Sequence, residues 1–159
     1  MRIAIACVGR LKERYWKDAA AEYVKRLSRY AQTEILEVDD EPAPERYSDA
    51  QRSAAMAREG ERLLGLLQPR DFVAALCVDG KRLTSEGFAA ELDSWMSRGA
   101  ARIVFVIGGS LGLSPDVFAR ANARISLSDM TFPHQLARVL LLEQVYRAFK
   151  ILGNETYHK

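Results

Sequence analysis

Charge of one sign, long apolar runs, cysteine and histidine are all scarce in this chain, and each shortage closes a class of function. With 23 Lys and Arg against 21 Asp and Glu, the formal net charge is +2. That is far from the strongly basic balance of a protein that grips any nucleic acid by charge alone. The apolar runs of residues 72–78 and 103–107 fall well short of the roughly 20 residues that span a bilayer, so no membrane partner is expected. The first residues carry a short apolar run (3–8) followed at once by Gly9, Arg10, Leu11 and Lys12, too brief and too quickly charged for a signal peptide. The only cysteines, Cys7 and Cys77, lie inside apolar runs. They read as buried free thiols in a reducing compartment, and a cytoplasmic location is expected. The only histidines, His134 and His158, share no ligand spacing with them, so no metal site is expected. Ten glycines and five prolines are too few for a collagen-like or low-complexity chain.

What remains is an ordinary globular composition, 48% hydrophobic and 28% charged over 159 residues, which predicts one domain, 1–159, around one core. The charge is unevenly placed. Residues 10–29 hold seven basic side chains against Glu13, Asp18 and Glu22, whereas residues 34–49 hold seven acids against Arg46. One edge is therefore basic and another acidic, as solvated faces commonly are.

Hydrophobic periodicity predicts strands at 3–8, 33–38, 72–78, 102–107 and 124–127, alternating with helices at about 15–30, 50–68, 85–96, 115–121 and 134–152. The third strand should stop at Asp79-Gly80. Pro42 and Pro44 mark the loop 39–49, Thr84 or Ser85 can cap the third helix, and Ser114-Pro115 starts the fourth. On the first helix Tyr15, Ala19, Tyr23, Leu27 and Tyr30 share a face, and the second should bury Met56, Leu63, Leu64 and Leu67. The last helix is apolar nearly all round and needs cover on two sides, for which a partner subunit is the simplest source. Strands that are continuously apolar and alternate with helices indicate an α/β fold, a mostly parallel sheet flanked by helices. Ligands bind such sheets beyond the carboxyl ends of the strands, which selects three loops: 76–80, 108–113 and 127–133.

The second of these loops reads Gly108-Gly109-Ser110-Leu111-Gly112, a literal G-x-S-x-G, with Asp129 and His134 following in hydrolase order. Too little chain follows Ser110 for an α/β-hydrolase sheet, and Ser114-Pro115 starts the helix four residues later than a nucleophile elbow requires. Ser110 is better read as a small residue that lets backbone approach a ligand. On the last helix Glu143 and Arg147 form an ordinary i,i+4 pair. Arg138 instead shares an apolar face with His134, Leu142, Val145 and Phe149, where a guanidinium needs an anion: an internal carboxylate, or a phosphate or carboxylate of a ligand. Past Gly153 the tail holds Tyr157, whose ring can stack on a base, and His158.

The stretches FVIGGSLGLSPDV and SLSDMTFPHQLARVLLLEQVYRAFKI, the terminal YHK, and VGRLKERYWKDAAAEYVKRL near the start together resemble the RlmH family of SPOUT-class methyltransferases. The resemblance implies a homodimer with a C-terminal trefoil knot, an exception to the rule that chains do not thread loops. It implies S-adenosyl-L-methionine as cofactor, held at the positions matching Leu76, Gly108, Leu127, Ser128, Asp129, Met130, Thr131 and Phe132. The activity implied is methylation of N3 of a pseudouridine in large-subunit (23S) ribosomal RNA, on assembled ribosomes. That imide must lose a proton, so a base is needed. His134, Glu143, Tyr157 and His158 are candidates, and Arg138 is expected to hold an RNA phosphate or a nearby nucleotide.

Overall fold

Strands and helices alternate along the whole chain in the computed structural model, which describes residues 1–42 and 45–157. Pro44 of the expected loop and His158 of the tail lie outside the described residues. In chain order the elements are β1 (Arg2–Val8), α1 (Arg14–Leu27), β2 (Gln32–Val38), α2 (Asp49–Gly65), β3 (Asp71–Arg82), α3 (Ser85–Ser97), β4 (Arg102–Ile107), α4 (Pro115–Arg120), β5 (Ala123–Ser126) and α5 (His134–Leu152). The strands form one sheet in the order β2-β1-β4-β3-β5, with every neighbouring pair parallel.

The continuously apolar strands sit where both faces are covered. Every residue of β4 is buried, as is all of β1 after Arg2, and these two strands form the centre of the sheet. Alternate side chains feed two cores. Ile3, Ile5, Phe72, Ile103 and Phe105 point to the face covered by α1, α3 and α5. Ala4, Ala6, Val73, Val104 and Val106 point to the face covered by α2 and α4. Two helices start on the caps the sequence offers: Thr84 accepts from the Gly87 amide, and Ser114 accepts from that of Val117. At the amino-terminal pole of the sheet, Arg102 is 4% exposed and closes bidentately on Asp71 (3.1 and 2.9 Å), with Glu34 at 3.0 Å.

Several expectations are corrected. β3 continues past Asp79-Gly80 to Arg82. Residues 77–80 bulge out of register, and Ile125 pairs with both Leu76 and Lys81. Glycine at 80 permits this, because a Cβ there would lie 2.5 Å from the Ile125 carbonyl carbon. Tyr15 is 64% exposed and meets Trp16 at a tilt, while Ala20 and Leu27 fill the buried stripe of α1. On α2 only Leu63 of the expected set is buried. Ala55, Glu59 and Gly60 take the inward positions because the helix lies close on Ser114 at the start of α4. Cys77 is half-buried rather than buried. Helix α5 lies between α1 and α3 on the sheet, which bury Leu141, Leu142, Val145, Ala148 and Phe149, while Leu136, Val139 and Leu140 stay half-buried.

Candidate functional site

The three loops selected from strand ends meet around one cleft of about 780 Å³, within the usual size of a small-molecule site. Leu76, Gly108, Leu127 and Ser128 line it, as do Met130, Thr131 and Phe132, so seven of the eight expected cofactor positions converge. Asp129 does not line it. Its carboxylate turns outward to an exposed ion pair with Arg82 at 2.7 Å, tying the loop before α5 to the end of β3. The glycine loop forms a tight cradle: a Cβ on residue 108 would lie 2.8 Å from the carbonyl carbon of Gly112, so backbone occupies the space a side chain would need.

Sequence reasoning missed two parts of the wall. Phe118, one turn into α4, lines the cleft, and the Arg124 guanidinium stacks 4.5 Å from its ring centroid. The apolar spacing of Val117 and Phe118 is the signal that would have found it. The Cys77 thiol also lines the cleft, and burial, with Asp79 beside it, pushes its pKa up to about 11. It therefore stays a thiol near neutral pH and is no nucleophile.

His134 is the first residue of α5 and reaches the cleft. Its Nε2 lies 3.4 Å from where a Cβ on residue 9 would sit, so the ring packs on the bare backbone of Gly9. Burial holds its pKa below the ordinary value of 6.5, the Arg138 charge adds to that, and Asp40 opposes it. The imidazole is neutral at neutral pH and can accept a proton. Among the described residues neither Ser110 nor Asp129 hydrogen-bonds to His134. Ser110 is exposed and α4 begins only at Pro115, so the hydrolase arrangement is absent.

Arg138 resolves the choice of anion. It is 0% exposed and donates to Glu37 Oε2 at 2.9 Å, to the Val8 carbonyl at 3.0 Å and to the Gly9 carbonyl at 2.7 Å, while its Nε is buried without a partner. The expectation that it holds an RNA phosphate is corrected: its anion is an internal carboxylate, supplied by β2. The same Glu37 oxygen accepts from the Leu11 amide at 2.9 Å, so this network anchors the carboxyl ends of β1 and β2 to α5.

The remaining candidates gather elsewhere. Glu143 Oε1 accepts from Arg147 Nε (3.0 Å) and Nη2 (2.6 Å) and from the Tyr157 hydroxyl (3.4 Å). The Arg147 guanidinium lies 4.7 Å from the Tyr157 ring centroid, and Tyr146 meets Tyr157 edge-on at 5.0 Å. Glu155 bonds Lys150 and the Tyr30 hydroxyl, so the described tail is held against α5 and the turn after α1 rather than frayed. At 1.5 Å rise per residue, Glu143 is about 14 Å along the α5 axis from His134. Within one chain the tail cluster and the cleft are separate places.

Among the described residues there is no group of three or more His, Cys, Asp or Glu placed to hold a metal ion, and no helix long and apolar enough to cross a membrane. The family model described as "Predicted SPOUT methyltransferase" matches residues 1–158. The chain is 54% identical to the ribosomal RNA large subunit methyltransferase H of Bifidobacterium animalis subsp. lactis (strain AD011), over 100% of both chains. Among solved structures it is similar in fold to a probable methylase family protein from Haemophilus influenzae Rd KW20, with a TM-score of 0.54 and 14% identity, covering 99% of this chain and 70% of that one. A parallel sheet whose strand-end loops close on one glycine-cradled cleft, matched by that family from end to end, places this chain in the SPOUT methyltransferase family.

Proposed function

We propose that this protein transfers a methyl group from S-adenosyl-L-methionine to N3 of a pseudouridine in large-subunit ribosomal RNA, acting as a cytoplasmic homodimer on assembled ribosomes. The observation that carries the reading is the convergence of the loops after β3, β4 and β5 on one cleft, in a chain 54% identical throughout to a ribosomal RNA methyltransferase. The cleft suits the cofactor. Its volume accommodates a nucleoside with an amino-acid side arm, the Gly108 cradle brings backbone amides and carbonyls within reach of an adenine edge, and Leu76, Leu127 and Phe132 offer apolar surface to the ring. The same reading makes residues 1–159 a single domain whose C-terminal part is tied in a trefoil knot.

The bound cofactor supplies an electrophilic methyl on a sulfonium. The protein has to hold a base nitrogen in line with that methyl and remove its proton. Positioning accounts for most of the acceleration. Of the candidate bases, His134 is favoured, because it alone among the described ones lines the cleft and its imidazole is neutral. Glu143 is occupied by Arg147. Arg138 acts at one remove, fixing the first turn of α5 and the Gly9 backbone on which His134 rests. Tyr157 and His158 close over the target base in the cleft of the other subunit, because Tyr157 is anchored on Glu143, away from its own cleft. Lys12 and Arg14, both exposed at the basic edge, contribute to a footprint that the dimer axis doubles.

The test is transfer of labelled methyl from S-adenosyl-L-methionine to ribosomes lacking the modification, with the product nucleoside identified after digestion. Label in N3-methylpseudouridine is expected. Absence of label together with absence of cofactor binding would overturn the reading. Replacing Lys12 and Arg14 by Glu should reduce transfer at physiological salt while cofactor affinity stays the same.

A further inference from the structure

Behind the glycine loop lies a carboxyl group that the reaction above does not use. Glu59, on α2, is 3% exposed. One of its oxygens accepts from the Glu41 amide at 3.0 Å, and the other, Oε2, is buried without any hydrogen-bond partner. A Cβ on residue 109 would sit 3.6 Å from that oxygen and 3.0 Å from the Val8 side chain, so Gly109 rests directly on Glu59 and on the end of β1. The next residue of α2 continues the contact. A Cβ on residue 60 would lie 2.1 Å from the Ser114 hydroxyl, which caps the helix leaving the same loop. Helix α2 is thus the surface on which both ends of the cradle, Gly109 and Ser114, are seated.

A buried carboxylate oxygen with no donor is costly when ionised, whereas protonation makes the same group a neutral hydrogen-bond donor. The groups facing Glu59 favour the acid. Burial raises its proton affinity most, the hydrogen bond from the Glu41 amide works against that, and the charges of Asp40 and Glu41, on the connection between β2 and α2, raise it further. Arg62, one turn along α2, opposes them but is engaged by Glu41 at 2.6 Å. From the glycine loop Gly109 meets it, and carries no charge.

We propose that Glu59 is a positioning residue for the cofactor cleft: in its neutral form it seats the glycine loop through its otherwise unpartnered oxygen, so the cleft's affinity for ligand follows the protonation of Glu59. This rests on the reading of the cleft as the S-adenosyl-L-methionine site. The residue touches no reacting atom and acts through the shape of residues 108–113.

The experiment compares wild type, Glu59→Gln and Glu59→Ala by calorimetric titration with S-adenosyl-L-methionine between about pH 5 and about pH 8. Glutamine keeps the acceptor for the Glu41 amide and supplies a permanent donor at the second position. The ratio of wild-type to Glu59→Gln affinity at each pH cancels the titration of the ligand and of His134. That ratio should fall as pH rises, and Glu59→Ala should bind about tenfold more weakly than Glu59→Gln throughout. Equal affinity of all three proteins would overturn the proposal. So would a glutamine variant as weak as the alanine one, since an ionised acceptor would then be what the loop needs. Amide hydrogen exchange of residues 109–112 in the ligand-free proteins gives a second readout: protection should be lost in Glu59→Ala and retained in Glu59→Gln. If wild type bound no cofactor while this protection pattern held, the cleft assignment would fail and the seating role would stand.

Discussion

The two ends of α5 carry the same residue types to opposite purposes. At the amino-terminal end, Arg138 is sealed from solvent and bonded to Glu37 and two carbonyls, and the neighbouring His134 lines the cleft. At the other end, Arg147 is 24% exposed at its side chain, paired with Glu143 one turn away and laid over the Tyr157 ring. The first guanidinium joins elements more than a hundred residues apart and fixes a wall, while the second holds a tail that reaches no described cleft of its own chain. An arginine on this helix is therefore classed by what encloses it. In the proposed function, the separation of the two ends is why the tail is assigned to the cleft of a second copy of the chain.

The largest effect should come from the sealed end. Arg138→Met strips the donors from Glu37 and from the Val8 and Gly9 carbonyls, and should cost about 3–5 kcal/mol in denaturant unfolding. A loss comparable to that of a surface pair would break the contrast. Next, Gly108→Ala drives a methyl group into the backbone at Gly112 and should lower cofactor affinity at least about tenfold, or ~1.4 kcal/mol, by calorimetry. Unchanged affinity would mean the cradle is not the binding surface. Third, the His134 pKa is lowered, so its neutral form already prevails below pH 6.5. The methyl-transfer rate should rise with pH through a value under 6.5 and then level. His134→Gln should remove that limb, and a limb that persists would assign the base elsewhere. The smallest effect belongs to the open end: Arg147→Met should cost about 0.5–1 kcal/mol in the same unfolding measurement, as partly exposed i,i+4 pairs do.

Most of the architecture is legible in the sequence because it depends on local pattern. Continuous apolar runs define β1 and β4, Ser114-Pro115 defines the start of α4, and α5 runs from His134 to Leu152 as its spacing predicts. The strand-end rule then selects the three loops of the cleft without any further information. What the sequence does not carry is pairing at a distance. Glu37 and Arg138 are 101 positions apart, and nothing local to either names the other. Asp129 lies in the right loop, but its side chain leaves the cleft for Arg82 on a strand that was expected to have ended. Glu59 looks like a solvent residue on a charged helix until Gly60 is seen to bring α2 onto Ser114. The errors fall where a small residue allows unusually close approach, at Gly60 and Gly80, because a glycine in a sequence does not announce what will lie against it.

In the proposed dimer the cleft of one subunit is completed by the tail of the other. The direct test mixes two separately purified proteins, Gly108→Ala with a weakened cleft and Tyr157→Ala with a defective tail, under conditions that allow subunits to exchange, and measures methyl transfer to unmodified ribosomes at a cofactor concentration too low to load the Gly108→Ala cleft. The account predicts recovered activity, because a mixed dimer contains one site with an intact cleft and an intact tail. A mixture as inactive as its components, with exchange verified, would place cleft and tail of the same chain in one site and contradict the account.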